Sequence, residues 1–118
     1  MTGEQIIAKA IFLLGYNDMF GNTNDARFQV TAKNALNFIY SDLFYINQTK
    51  GFKEIEGFSD EIELPERALF DVMPYGVAAF IAQAMGDGEN QQYFSQLYNL
   101  KRKALADPGT IADAIPSV

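Results

Sequence analysis

The sequence predicts a mainly α fold: a four-helix bundle over residues 1–106, a short β-hairpin at about 50–63 between the second and third long helices, and an extended C-terminal tail at 107–118. Three observations predict it. Apolar residues recur at spacings of three and four through four separate stretches, the mark of helices with one buried face. Each stretch opens or closes on a residue suited to a helix end. Between the second and third stretches the pattern changes to short apolar–polar alternation around two glycines, which suits strands. The clearest signal lies in Leu64 to Leu105, which reads as two antiparallel helices joined by one tight acidic turn.

Thr2 with Gln5 fits a capping box, in which each side chain satisfies an orphan N–H at a helix start. The run that follows places Ile6, Ile7, Ala10, Ile11 and Leu14 on one broad face, and Gly15 suits a left-handed stop. This short helix is apolar enough to be pressed between neighbours. Residues 16–24, Y-N-D-M-F-G-N-T-N, carry loop chemistry, and Met19 and Phe20 within them need cover. Thr23 or Asn24 can cap the second helix, with Asp25 complementing its dipole. Phe28, Ala32, Ala35, Leu36, Ile39, Leu43 and Ile46 then form one stripe over about 22 residues, roughly 33 Å of helix.

Residues 48–63 place Phe52, Ile55, Phe58 and Ile62 around Gly51 and Gly57, which suits two short strands turning at Gly57-Phe58-Ser59-Asp60. A bare hairpin is marginal, so packing on the helices or on another copy is expected to hold it. Pro65 can open the third helix because a first-turn residue needs no N–H partner, and Glu66 meets the positive end of the dipole. Leu69, Val72, Met73, Val77, Phe80, Ile81 and Ala84 follow at helical spacing, with Pro74 expected to kink the helix. Gly86-Asp87-Gly88 breaks the pattern. A fourth helix resumes through Phe94, Leu97, Tyr98, Lys101 and Leu105 until Pro108 and Gly109 stop it. Ile111, Ala114, Ile115 and Val118 dot the tail, whose twelve residues reach about 40 Å when extended.

Composition narrows the chemistry. The chain has 118 residues, 48% of them hydrophobic, including ten Phe and six Tyr, so a core without covalent staples is expected. Cys and His are both absent. No disulfide, thiolate nucleophile or Cys-based zinc site is possible, and the usual general base is missing. No cofactor is expected, and a metal would have to rely on oxygen ligands. The formal charge is −6, and the only basic cluster is Lys101-Arg102-Lys103, too little for tight hold on a phosphate backbone. No apolar run approaches the ~20 residues that cross a bilayer, and the opening M-T-G-E-Q-I-I-A-K-A has no basic leader. A soluble protein acting where it is made is expected, with no membrane partner.

Several constellations have two readings. Pro74, followed by Gly76, Ala78, Ala79 and Ala82, reads as a bend shaping a subunit interface, or as a kinked core helix. Asp87, Glu89 and Asn90 have too few alternating oxygens for a calcium loop, so Asp87 is better placed as a helix cap. Glu54, Glu56, Asp60, Glu61 and Glu63 alternate along an exposed segment, which suits a solvated face more than a buried catalytic pair. Tyr40, Tyr45, Tyr75, Tyr93 and Tyr98 suit protein contacts or the edge of a small core.

The segments E-L-P-E-R-A-L, P-Y-G-V-A-A-F-I-A-Q and G-D-G-E-N-Q-Q-Y-F-S-Q-L-Y, with the opening G-E-Q-I-I-A-K-A-I-F-L-L-G, resemble the phage head–tail connector (adaptor, head-completion) family. The shared organisation is a Leu-Pro helix opening, a small-residue helix, an acidic turn and a helix with a Tyr-Phe pair. The resemblance implies a non-enzymatic virion protein of the neck, made in the host cytoplasm. It would assemble with itself as a ring, usually of twelve copies, beneath the portal protein, and receive a downstream head-completion or tail protein. DNA would pass through the channel without specific binding, helped by an acidic lumen. On that reading Ile111, Ile115 and Val118 anchor the tail to a partner, and Phe52 and Phe58 serve ring or downstream contacts. The alternative is a small acidic helical regulator or inhibitor bound to a single partner protein. An enzyme is the third reading, and the residue inventory favours it least.

Overall fold

In the computed structural model the described residues are 1–16 and 25–106. They form four α-helices: α1 (Gly3–Leu14), α2 (Ala26–Phe44), α3 (Met73–Ala84) and α4 (Gly88–Ala106). Thr2 opens α1 with the expected capping box, its Oγ1 accepting from Gln5 N while Gln5 Oε1 accepts from Thr2 N. Ile6, Ile7, Ala10, Ile11 and Leu14 are buried, as their spacing predicts. Gly15 ends the helix at φ 75°, and the N–H groups of Gly15 and Tyr16 return to the carbonyls of Phe12 and Ile11. That pair of bonds satisfies carbonyls the helix end would otherwise orphan.

The cap of α2 is Asp25, whose carboxylate accepts from the N–H groups of Arg27 and Phe28. The expected caps Thr23 and Asn24 lie outside the described residues, as do Met19 and Phe20. The stripe from Phe28 to Leu43 is buried, while Ile46 falls beyond the helix and is half-buried.

No strand forms among the described residues, so the hairpin expected at 50–63 is absent. The segment has no regular secondary structure and turns at residues 56–60, and its backbone groups pair with the helices and the chain start. Asn37 of α2 acts as a substitute strand neighbour: its Oδ1 accepts from Ile55 N at 2.9 Å and its Nδ2 donates to Ile55 O at 3.3 Å. The carbonyls of Phe58 and Asp60 accept the N–H groups of Glu4 and Gly3, satisfying donors of the first turn of α1. Ile62 N donates to Met1 O, Thr2 and Glu61 form one isolated antiparallel bridge, and Glu63 N donates to the Tyr40 hydroxyl. Asp60 closes the turn by accepting from the N–H groups of Glu56 and Gly57. The partners of this segment are a side-chain amide and a helix start.

Because Ile55 is buried, losing Asn37 leaves an N–H and a C=O without partners. Asn37→Leu is expected to destabilise the protein by about 1–3 kcal/mol, against a change within about 0.5 kcal/mol for Asn34→Ala on the exposed side of the same helix. Urea unfolding of the two variants checks this.

Helical backbone begins at Glu66, directly after Pro65, and takes a π turn over Ala68–Val72 before α3 proper. Within that turn the N–H of Met73 reaches back to Ala68 O, five residues earlier. The irregularity that Pro74 predicts therefore falls one turn before the proline, which sits buried in the first turn of α3. Pro74 has no N–H to offer the carbonyl of Phe70. Lys9 of α1 donates its Nζ to that carbonyl at 3.3 Å, and the same ammonium lies 4.9 Å from the centre of the Phe70 ring.

α3 is the centre of the molecule, packing against α1, α2 and α4. Met73, Gly76, Val77, Ala78, Ala79, Ile81 and Ala82 are all buried, covering more than one face, as a helix surrounded by others requires. Ala84, placed on the apolar stripe by spacing, is exposed. α4 is peripheral by contrast. Of its 19 residues only Phe94 and Tyr98 are buried.

Candidate interaction surface

Three polar ties hold the helices in register. Asp42 of α2 accepts from the Tyr98 hydroxyl at 2.5 Å and from both Nε (2.7 Å) and Nη2 (3.1 Å) of Arg102. Burial pushes the Tyr98 hydroxyl well above its ordinary value, helped by the hydrogen bond to Asp42 and its charge. On the outer side of α4, Lys101 pairs with Asp71 at 2.9 Å and lies 4.6 Å from the centre of the Tyr75 ring. Two members of the basic cluster Lys101-Arg102-Lys103 are thus engaged with the protein's own carboxylates, and Lys103 is exposed with no carboxylate partner among the described residues.

The third tie joins two helix ends of the same design. Gly86, at φ 73°, and Asp87 return their N–H groups to Gln83 O and Ala82 O, repeating the geometry at Gly15 and Tyr16. The Tyr16 hydroxyl then donates to Asp87 Oδ2 at 2.5 Å. Asp87 also caps α4, accepting from Asn90 N and Asn90 Nδ2. The Tyr16 hydroxyl, followed by the two Asn90 donors, holds the Asp87 carboxyl below the usual range. Burial, then the hydrogen bond to Asp87 and its charge, pushes Tyr16 up to about 12.

The depressed carboxyl contributes stability present above its unfolded pKa and lost as pH falls through the folded one. The raised hydroxyl contributes stability present below its unfolded value near 10.0 and lost as pH rises through about 12. Tyr16→Phe is expected to lower the urea midpoint near neutrality and to flatten the decline at both pH extremes. Parallel acid and alkaline decline in the two proteins would refute the coupling.

Among the described residues no group of three or more His, Cys, Asp or Glu side chains could hold a metal ion. No helix among them is long and apolar enough to cross a membrane. The acids Glu54, Glu56, Asp60, Glu61, Glu63 and Glu66 are all exposed. Asp60 is spent on its turn and Glu61 on the N-terminal amine at 3.1 Å, leaving the others facing solvent.

Phe52 and Phe58, singled out as contact residues, are both half-buried against the core. Phe52 closes an aromatic cluster at the end of α2, with its ring centre 5.1 Å from Tyr40, 5.7 Å from Phe44 and 6.0 Å from Tyr45. The cluster and the Phe58 turn are separate places on the molecule's own core. Ile111, Ile115 and Val118 lie outside the described residues.

The exposed apolar surface is instead carried by side chains that spacing alone did not single out. Phe12 is 73% exposed, Leu100 67% and Phe38 63%, with Val30, Phe70, Met85 and Tyr93 also open to solvent. Phe12, Phe38 and Leu100 lie off the buried stripe of their helices, and that misfit is the signal by which they could have been found in the sequence. Phe38 borders a groove of about 230 Å³ between α2 and α4. Gly76 and Ala79 of α3 line it, with Phe80, whose ring centre is 5.8 Å from that of Phe38, and the polar side chains of Gln91, Ser95 and Asn99.

No protein-family model matches the chain, and no curated protein and no solved structure does either.

Proposed function

We propose that the chain is a structural subunit of the head–tail connector class, assembling as a ring beneath a phage portal to join head and tail and extend the DNA channel. The observation that carries this reading is the organisation of Leu64 to Leu105: Leu-Pro opening, small-residue helix, acidic turn, and a helix with a Tyr-Phe pair. In the fold these segments are neighbours. The small residues make α3 the hub, Asp87 caps the return helix, and of the pair Phe94 packs inward while Tyr93 is 57% exposed. A subunit held by neighbours on more than one side needs apolar side chains on several helices, and Phe12, Phe38 and Leu100 supply them.

On this reading Ile111, Ile115 and Val118 anchor the tail to the portal or the next subunit, giving up conformational freedom on binding. Phe52 and Phe58 support the loop that meets a ring neighbour or the downstream protein. Exposed Glu54, Glu56, Glu63 and Glu66 supply negative charge suited to a lumen through which DNA slides. With Lys101 and Arg102 engaged internally, the Lys101-Arg102-Lys103 cluster offers mainly Lys103 to a phosphate backbone.

The test is mass photometry of the chain alone and with the portal protein encoded beside it. The expected product is a portal carrying many copies, and deletion of residues 107–118 is expected to abolish it. One copy per partner would favour the regulator instead, and undiminished assembly of the deleted form would remove the role of the tail.

A further inference from the structure

We propose that the groove between α2 and α4 is the docking site for residues 107–118 of the same chain, with Ile115 as its apolar contact. This goes beyond the assembly reading and does not rest on it. The groove combines an apolar side, Phe38 and Phe80, with a polar one, Gln91, Ser95 and Asn99. Such a lining suits an extended peptide, whose side chains seek apolar cover while its unpaired N–H and C=O groups need partners. The Asn99 side chain makes no hydrogen bond among the described residues, so its amide can supply them. Ala79 projects little beside the Phe38 and Phe80 rings, which leaves room there for an aliphatic side chain.

Reach selects the occupant. α4 ends at Ala106, and Ser95, at the middle of the groove, lies eleven residues back, about 16 Å along the helix. The next four residues are D-P-G-T, a sequence that favours a tight turn with Pro and Gly at its central positions. A chain reversed there and extended from Thr110 covers about 16 Å by Ile115, which brings that residue level with Ser95. Pro116 keeps the segment from continuing as a helix. Docked this way, Ile115 is covered in the free subunit, and a partner that takes the tail must first draw it out.

The chain has no cysteine, so Ser117→Cys gives the 118-residue chain a single attachment point for a nitroxide. In an ¹⁵N-labelled sample the amide signals of Gly76, Gln91 and Ser95 are expected to lose most of their intensity, and to recover it when the nitroxide is reduced. Adding Phe38→Asp or Ile115→Asp is expected to abolish the loss while the rest of the spectrum stays folded. Unbroadened signals overturn the proposal, as does broadening that survives both substitutions. Broadening that appears only when spin-labelled ¹⁴N protein is mixed with unlabelled ¹⁵N protein also overturns it, assigning the groove to the tail of a second copy. None of these outcomes depends on portal binding, so failure here and failure of the connector reading are separable.

Discussion

Tyr98→Ala is expected to destabilise the protein by about 3–5 kcal/mol, the usual cost of removing a buried aromatic ring. Against a total stability of about 5–15 kcal/mol for a domain, that loss threatens folding. α4 buries only Phe94 and Tyr98, so the substitution removes one of its two apolar anchors. The ring also fills the space beside Gly76, standing 2.8 Å from where a Cβ there would lie. Its hydroxyl is one of three donors on Asp42. Tyr98→Phe keeps the ring and gives up only that bond. Because the Asp42 side chain is 34% exposed and retains Arg102, the smaller change should cost about 1 kcal/mol. Chemical denaturation of both variants separates packing from hydrogen bonding. Equal losses would mean that the ring contributes little.

Gly76→Val should lose about 3 kcal/mol, at the upper end of what overpacking costs. A Cβ at this position would stand 2.8 Å from Ile39 Cδ1 and 2.8 Å from both Cδ1 and Cε1 of Tyr98. The Ile39 methyl is the end of a flexible side chain and can rotate away. The Tyr98 ring cannot, because its hydroxyl is held by Asp42 while its Cα is fixed in α4. Gly76→Ala has opposing contributions, since replacing a helical glycine gains up to about 1 kcal/mol of propensity. Valine adds two more carbons and offers no comparable gain. In the Tyr98→Ala background the valine has room, so the two substitutions together should cost clearly less than their sum. Additive losses would show that the ring is not what valine meets.

The parts of this fold written in local sequence were legible. The capping box at Thr2, the stop at Gly15, the buried face of α1 and the Asp87 cap each depend on residues within a turn of one another. What was not legible depends on distant partners. Phe52, Ile55 and Phe58 suggest strands that do not form among the described residues, and nothing near them says that Asn37, eighteen residues before Ile55, holds that backbone instead. Pro74 announces a disturbed helix, while the π turn before it and the Lys9 ammonium on the freed carbonyl involve a helix 61 residues away in sequence. Periodicity was equally blind to Phe12, Phe38 and Leu100, because it marks the stripe that is buried and is silent on apolar residues beside it. The same limit explains why the candidate contact residues separated: Phe52 belongs to a cluster with Tyr40 and Phe44 that only the folded end of α2 assembles.

The connector reading is tested most directly by electron cryomicroscopy of the assembled neck in virions that encode this chain. The expected map holds α1 to α4 repeated around the DNA channel directly beneath the portal, with the acidic loop of residues 54–66 turned toward the genome. A neck of complete virions in which no repeated copy of this four-helix subunit can be placed would contradict it.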